Sequence, residues 1–265
     1  MEINVLEKSK DGMKISFIMK GVTLSYANAL RRVFIQNIPV LAIEDVEIRK
    51  NNSILYDEMV AHRLGLIPLS TDTKTYEQAP DEYDNVDDLN AKQKVSMTLK
   101  AKGPCTVYAS DLKSKDPGVK PIHPKTPIVK LLAGQEIELE AIAVMSVGRI
   151  HAKWSPCLAY YKNKPSVKVK KKVENIKEVI SKQTEKIFIL KNNNLIVNND
   201  IILKSNLVED TIALCKPEGA IELTYNEDEI IFTIESWGQI KCKEIVIEGL
   251  NQLSGHCDEF AKLLK

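Results

Sequence analysis

The chain opens in alternation. Ile3 to Leu6 is a short apolar run and Asp11-Gly12 is a turn dipeptide. Met13, Ile15, Phe17 and Met19 then alternate with mostly polar residues, as in a β-hairpin. After Gly21 the period lengthens. Ser25 is placed to cap a helix over residues 26–37, with Tyr26, Leu30, Val33 and Asn37 in one stripe and Ala27, Phe34 and Ile38 beside it. Pro39 stops the helix, and Val40 to Ile48 reads as a strand running to the turn Asn51-Asn52.

From about residue 57 a helix-like stretch, DEMVAHRLGLIPL, runs to Pro68, and the acidic, proline-containing stretch Thr71 to Asn90 reads as an exposed loop. Strand patterns then dominate: Val95, Met97 and Leu99 alternate, as do Ile137, Leu139, Ala141 and Ala143. GRIHAKWSP (Gly148 to Pro156) has no period and ends in proline, so it reads as a loop or strand edge. Lys164 to Lys172 reads as a lysine-rich linker. It leads to a polar helix near residues 174–184 and a hairpin across Asn192-Asn193-Asn194. Asn226 to Asp228 reads as a turn, after which Ile230, Phe232 and Ile234 alternate.

The last segment carries the clearest period. Val246, Leu250, Leu253, Cys257, Phe260 and Leu264 are spaced 4, 3, 4, 3, 4, an a/d seam of almost three heptads. Such a seam is narrower than the stripe of a helix buried in its own core. It fits either a helix packed on its own sheet or one shared with a partner helix. Gly249 and Gly255 each cost the helix roughly 1 kcal/mol against alanine, and close approach of another helix would explain them.

Composition narrows the function. With 265 residues, 44% of them hydrophobic and 28% charged, the chain has enough apolar residues for real cores. Its 37 basic residues are nearly cancelled by 36 acidic ones, which argues against strong autonomous nucleic-acid binding. The N-terminus has no apolar signal region and no apolar run approaches the length of a membrane span, so a soluble, cytoplasmic protein without a membrane partner is expected. The five cysteines are odd in number, and the closest pair lies 15 residues apart. Reduced, mostly buried thiols are expected rather than disulfides or a zinc knuckle.

Catalytic patterns are missing. The sequence has no phosphate-binding GxxxxGK[ST], no GxGxxG, no GxSxG and no HExxH. Asp87-Asp88, beside Asp81, Glu82 and Asp84, read as a solvated acidic loop, and His256 beside Cys257 and Asp258 as a surface residue. Arg31-Arg32, His62-Arg63 and Arg149-His151-Lys153 remain. They read either as surface charges with snorkelling stems or as interface anchors.

Four segments then read together. GVTLSYANALRRVFIQNIP, followed by LAIEDVEI, resembles the first helix of the α-like subunits of multisubunit RNA polymerases. YDEMVAHRLGLIPL and GRIHAKWSP resemble two further signatures, the latter in its archaeal and eukaryotic form, and the heptad tail resembles the terminal dimerisation helix. The order and spacing match the family, in its archaeal form, over essentially the whole chain.

The resemblance implies an α+β fold in three parts. A discontinuous dimerisation domain of a sheet and two helices would span residues 1–42 and 223–265. A β-rich insert would span 43–164, and a small ferredoxin-like domain 165–222. It implies a non-catalytic assembly subunit that heterodimerises with subunit L, recruits the small subunits N and P and then the second-largest catalytic subunit, and meets DNA only through the complex. Ala27, Leu30, Phe34, Val246, Leu250, Leu253, Cys257 and Phe260 would line the interface with L. Arg31, Arg32, His62, Arg63, His151 and Lys153 would face other subunits. Some relatives carry iron–sulfur clusters in the third domain. Here that segment keeps the phrase Cys-Lys-Pro-Glu-Gly-Ala but one cysteine, Cys215, so the fold is expected without a cluster. The insert lacks the clustered cysteines that bind zinc in eukaryotic relatives, so no zinc is expected. The alternatives are a ferredoxin-like redox or metal-binding protein and a homodimeric α-like scaffold.

Overall fold

The computed structural model describes residues 1–191 and 194–264. Strands β1 (Glu2–Lys8) and β2 (Lys14–Lys20) precede helix α1 (Leu24–Gln36), strand β3 (Pro39–Asn51) and helix α2 (Asp57–Gly65). Then come β4 (Lys94–Lys102), β5 (Cys105–Tyr108), β6 (Lys113–Ser114), β7 (Pro127–Leu131), β8 (Glu136–Val147) and β9 (Cys157–Val169). Helix α3 (Ile176–Lys182), β10 (Phe188–Lys191), β11 (Asn194–Val197), α4 (Asn199–Lys204), α5 (Val208–Ala213), β12 (Ile221–Ser236) and α6 (Cys242–Leu263) complete the chain.

Two compact units divide it. One comprises residues 1–6, 16–27 and 161–232, the other 7–15, 28–160 and 233–265. A four-stranded sheet has the order β1-β2-β12-β9, which joins the first two strands of the chain to two late ones. The expected opening hairpin is thus present. The expected cap of α1 is corrected: Thr23, not Ser25, accepts the Tyr26 amide at 3.3 Å through Oγ1.

In the larger unit, β3-β8-β4-β6 form an antiparallel sheet. Buried Leu41, Ile43, Met97, Leu99, Leu139 and Ala141 share its core with Val60 and Leu64 of α2. Ile43 pairs with Ala143 and Asp45 with Ile142, which leaves Glu44 as the extra residue of a bulge. The acidic stretch 71–90 is not a free loop, and that expectation is corrected. Ala79, Val86 and Leu89 bury themselves against Val144 of β8, and Tyr76 donates to Asp116 at 2.6 Å. Apolar residues spaced through a polar segment anchor it to the outer face of the sheet.

In the smaller unit, Val173, Val179, Phe188, Ile202 and Cys215 share a separate core. Phe17, Phe232 and Tyr161 stack in series, with ring centroids 5.6 and 6.2 Å apart. Strands β10 and β11 pair antiparallel from Phe188↔Val197 to Lys191↔Asn194. The tip of the expected hairpin, residues 192 and 193, lies outside the described residues.

Two further expectations are corrected. Lys164 to Lys172 is not a linker, because β9 runs to Val169 as an edge strand, where lysines discourage unwanted strand addition. Asn226 to Asp228 is no turn; it lies inside the sixteen-residue strand β12, in its solvent-exposed stretch.

Candidate partner-docking surface

Helix α6 carries two faces along its length. Cys242, Ile245 and Gly249, at helical spacing, are buried on the chain itself. At Gly249 the approach is so close that a Cβ would lie 2.5 Å from Cε1 of Phe34 and 3.5 Å from Cδ1 of Ile38. The expected close approach of another helix is present at Gly249, and that helix is this chain's own α1. Around Gly255 a Cβ would meet nothing within 4 Å.

Beyond Gly249 the helix leaves its support. Val246 and Leu253 are half-buried, Cys257 is exposed, and Leu250 and Phe260 are 43% and 63% exposed. Leu263 and Leu264 stand at 85% and 72%. Ile247, 50% exposed, adds to the same side, three residues before Leu250. Sequence reasoning missed it because it falls outside a strict a/d pattern. A row of large apolar side chains at helical spacing is thus turned to solvent along α6 from Ile247 onward, an arrangement that marks an interaction site.

The α1 part of the expected interface is different. Ala27, Leu30 and Phe34 are 0%, 5% and 1% exposed, closed into the chain's own core. The expectation that they line a partner surface is corrected: burial against their own fold leaves them no apolar face to offer.

The cationic residues separate in the same way. Arg32, His62 and His151 are exposed, and His151 Nδ1 accepts the Lys153 amide at 3.1 Å. Arg31 is half-buried and grips Oδ1 of Asn28 through Nε and Nη2, at 3.1 and 3.0 Å. Arg63 is tied inward, its Nε donating to the Ile128 carbonyl at 2.8 Å and its Nη2 to that of Pro127 at 2.5 Å, which fastens α2 to β7. Lys153 is also turned inward. Its ammonium bonds the Ile43 carbonyl at 3.1 Å, pairs with Glu44 and sits 4.4 Å from the centre of the Trp154 ring. The expectation that Lys153 faces other subunits is corrected, because its ammonium is spent within the fold; Arg63 stays exposed, with two of its five guanidinium donors used within the fold.

Three of the five thiols are closed off by burial. Cys157, Cys215 and Cys242 are buried; burial, with a smaller effect of Cys242, pushes Cys157 up to about 12, and burial raises the other two. Cys105 and Cys257 are exposed. Among the described residues no His, Cys, Asp or Glu side chains gather in a set that could hold a metal ion, and no helix is long and apolar enough to cross a membrane.

Known proteins match this chain along its length. Residues 46–157 match the family model of the RNA polymerase Rpb3/RpoA insert domain. DNA-directed RNA polymerase subunit Rpo3 of Pyrococcus furiosus is 36% identical over 265 residues, covering 100% of this chain and 97% of that relative. The Rpo3 of Methanosarcina acetivorans is 35% identical over 266 residues, covering 100% and 98%. That of Methanothermobacter thermautotrophicus is 33% identical over 260 residues, covering 97% of each. Identity at this level over whole chains settles descent: the chain belongs to the family of DNA-directed RNA polymerase subunit Rpo3, the archaeal α-like subunit.

Proposed function

We propose that the chain is a non-catalytic assembly subunit of the archaeal RNA polymerase, working in the cytoplasm and pairing through the exposed face of α6 with the smaller subunit L. The observation that carries this reading is the exposed row Ile247, Leu250 and Phe260, continued by Leu264 just past the helix end, on a helix whose other face is already bound to its own chain. Water covers that row at a cost of about 25 cal/mol for each Å² of apolar surface, and a partner helix bearing a similar stripe removes it. The heterodimer then serves as the platform for subunits N and P and the second-largest catalytic subunit. Arg32, His62, Arg63 and His151 are exposed side chains available to them. DNA is met only through the finished complex.

The smaller unit fits a domain that needs no cofactor. Cys215 is packed in its core and its thiol lies 3.7 Å from the Thr211 carbonyl, as expected of a cysteine serving as a small apolar residue. We read residues 165–222 as the ferredoxin-like domain of the family without its cluster.

Co-expression with and without subunit L tests the pairing. The chain alone is expected to self-associate or aggregate, and the co-expressed pair to elute as one stable species. A well-behaved monomer with no affinity for L would overturn the proposal.

A further inference from the structure

A groove of about 460 Å³ opens on the larger unit, well apart in sequence from α6. Carboxylates of Glu44, Asp81, Glu82 and Asp84 surround it, Tyr83 and Ile150 form walls, and Ser146 lies at its base. The fold builds this place deliberately. The bulge in β3 turns Glu44 toward it. Tyr83 is held by packing on the cluster of Ala79, Val86, Leu89 and Val144.

The charges do not balance. Lys153 pairs with Glu44, and Arg149 meets Asp81 at 2.6 Å. Glu82 and Asp84, exposed on either side of Tyr83, make no ion pair among the described residues. Four carboxylates thus face two cations. At the base, Ser146 is only 2% exposed, yet its hydroxyl has no hydrogen-bond partner among the described residues. The oxygen is not sealed from solvent, so a donor entering the groove can reach it.

The carboxylates are not gathered as metal ligands are. An organic cation fits better. Two spare carboxylates and one hydroxyl acceptor beside an aromatic wall match a guanidinium, which presents five donors in a plane and stacks on ring faces. We propose that this groove takes an arginine side chain from a partner polypeptide. The site is separate from the α6 row, so loss of pairing through α6 leaves it intact.

Fluorescence anisotropy of the full-length protein with a short labelled poly-arginine peptide tests the idea, with a citrulline peptide of the same length as the uncharged control. Saturable binding of the arginine peptide alone is expected. The double variant Glu82→Gln, Asp84→Asn should weaken it about tenfold, and Ser146→Ala by a smaller factor. Neutralising an exposed pair outside the groove, Glu227→Gln with Asp228→Asn, should leave affinity within about twofold. Equal weakening by both double variants would reduce the effect to general surface charge and overturn the proposal. So would equal binding of the citrulline peptide, or no saturable binding at all.

Discussion

Gly249 of α6 lies against the ring of Phe34 in α1 so closely that a methyl group there would stand 2.5 Å from Cε1. The two helices are therefore locked within one chain at this point. Gly249→Ala should destabilise the isolated chain by about 1–3 kcal/mol through overpacking, although alanine favours the helix by about 1 kcal/mol. Gly255→Ala meets nothing within 4 Å and should stabilise the helix by up to about 1 kcal/mol. Thermal unfolding of the two variants should therefore move in opposite directions. A shift of the same sign would mean that the helix contact is misplaced.

Lys153 and Arg32 make a second contrast. The Lys153 side chain is 13% exposed and bonds a backbone carbonyl and a carboxylate at once. Lys153→Met should cost about 1–3 kcal/mol in urea unfolding, because the Ile43 carbonyl and Glu44 lose their donor. Arg32, exposed on α1, should tolerate alanine within about 0.5 kcal/mol.

Glu229 links two lysines in the smaller unit, Lys164 at 2.5 Å and Lys20 at 3.2 Å. The Lys164 hydrogen bond, above all, holds its carboxyl below the ordinary value of 4.5. A folded-state pKa that is depressed means that the unfolded chain binds the proton more tightly. The stabilisation is therefore whole above the unfolded value and is lost as pH falls through the folded one. Glu229→Gln should lower stability by up to about 1 kcal/mol at neutral pH, and the gap to the parent should close in acid. Unfolding curves taken across that range check the sign; a gap that widens in acid would contradict it.

The seam predicts a separation of folding from pairing. Leu253 is half-buried, so Leu253→Asp should harm both. Phe260 is 63% exposed, so Phe260→Asp should leave the circular dichroism and unfolding midpoint of the chain unchanged while abolishing attachment of subunit L. Glu259→Lys, beside it but off the row, should change neither.

Much of the fold was legible where periodicity was strong. Helices α1 and α6 and strands β4 and β8 announced themselves, because a half-buried helix or strand repeats its apolar residues at the backbone's own period. The seam was legible but displaced. Cys242, Ile245 and Gly249 form the inward face one position away from the a/d row, and only the packed neighbour Phe34 distinguishes the two. Lysines hid β9, since an edge strand needs no apolar alternation on its open side. Polar residues hid the middle of β12, where solvent replaces a core. The inward turn of Lys153 and Arg63 could not be read at all. It depends on the Glu44 bulge and the β7 carbonyls, which are set by pairing between distant segments.

Mass measurement by analytical ultracentrifugation of the chain mixed with equimolar subunit L addresses the exposed face of α6 most directly. The expected result is a 1:1 heterodimer for the parent and separate species for Phe260→Asp. A parent chain that stays monomeric, or one that forms only dimers with itself and ignores L, would contradict it.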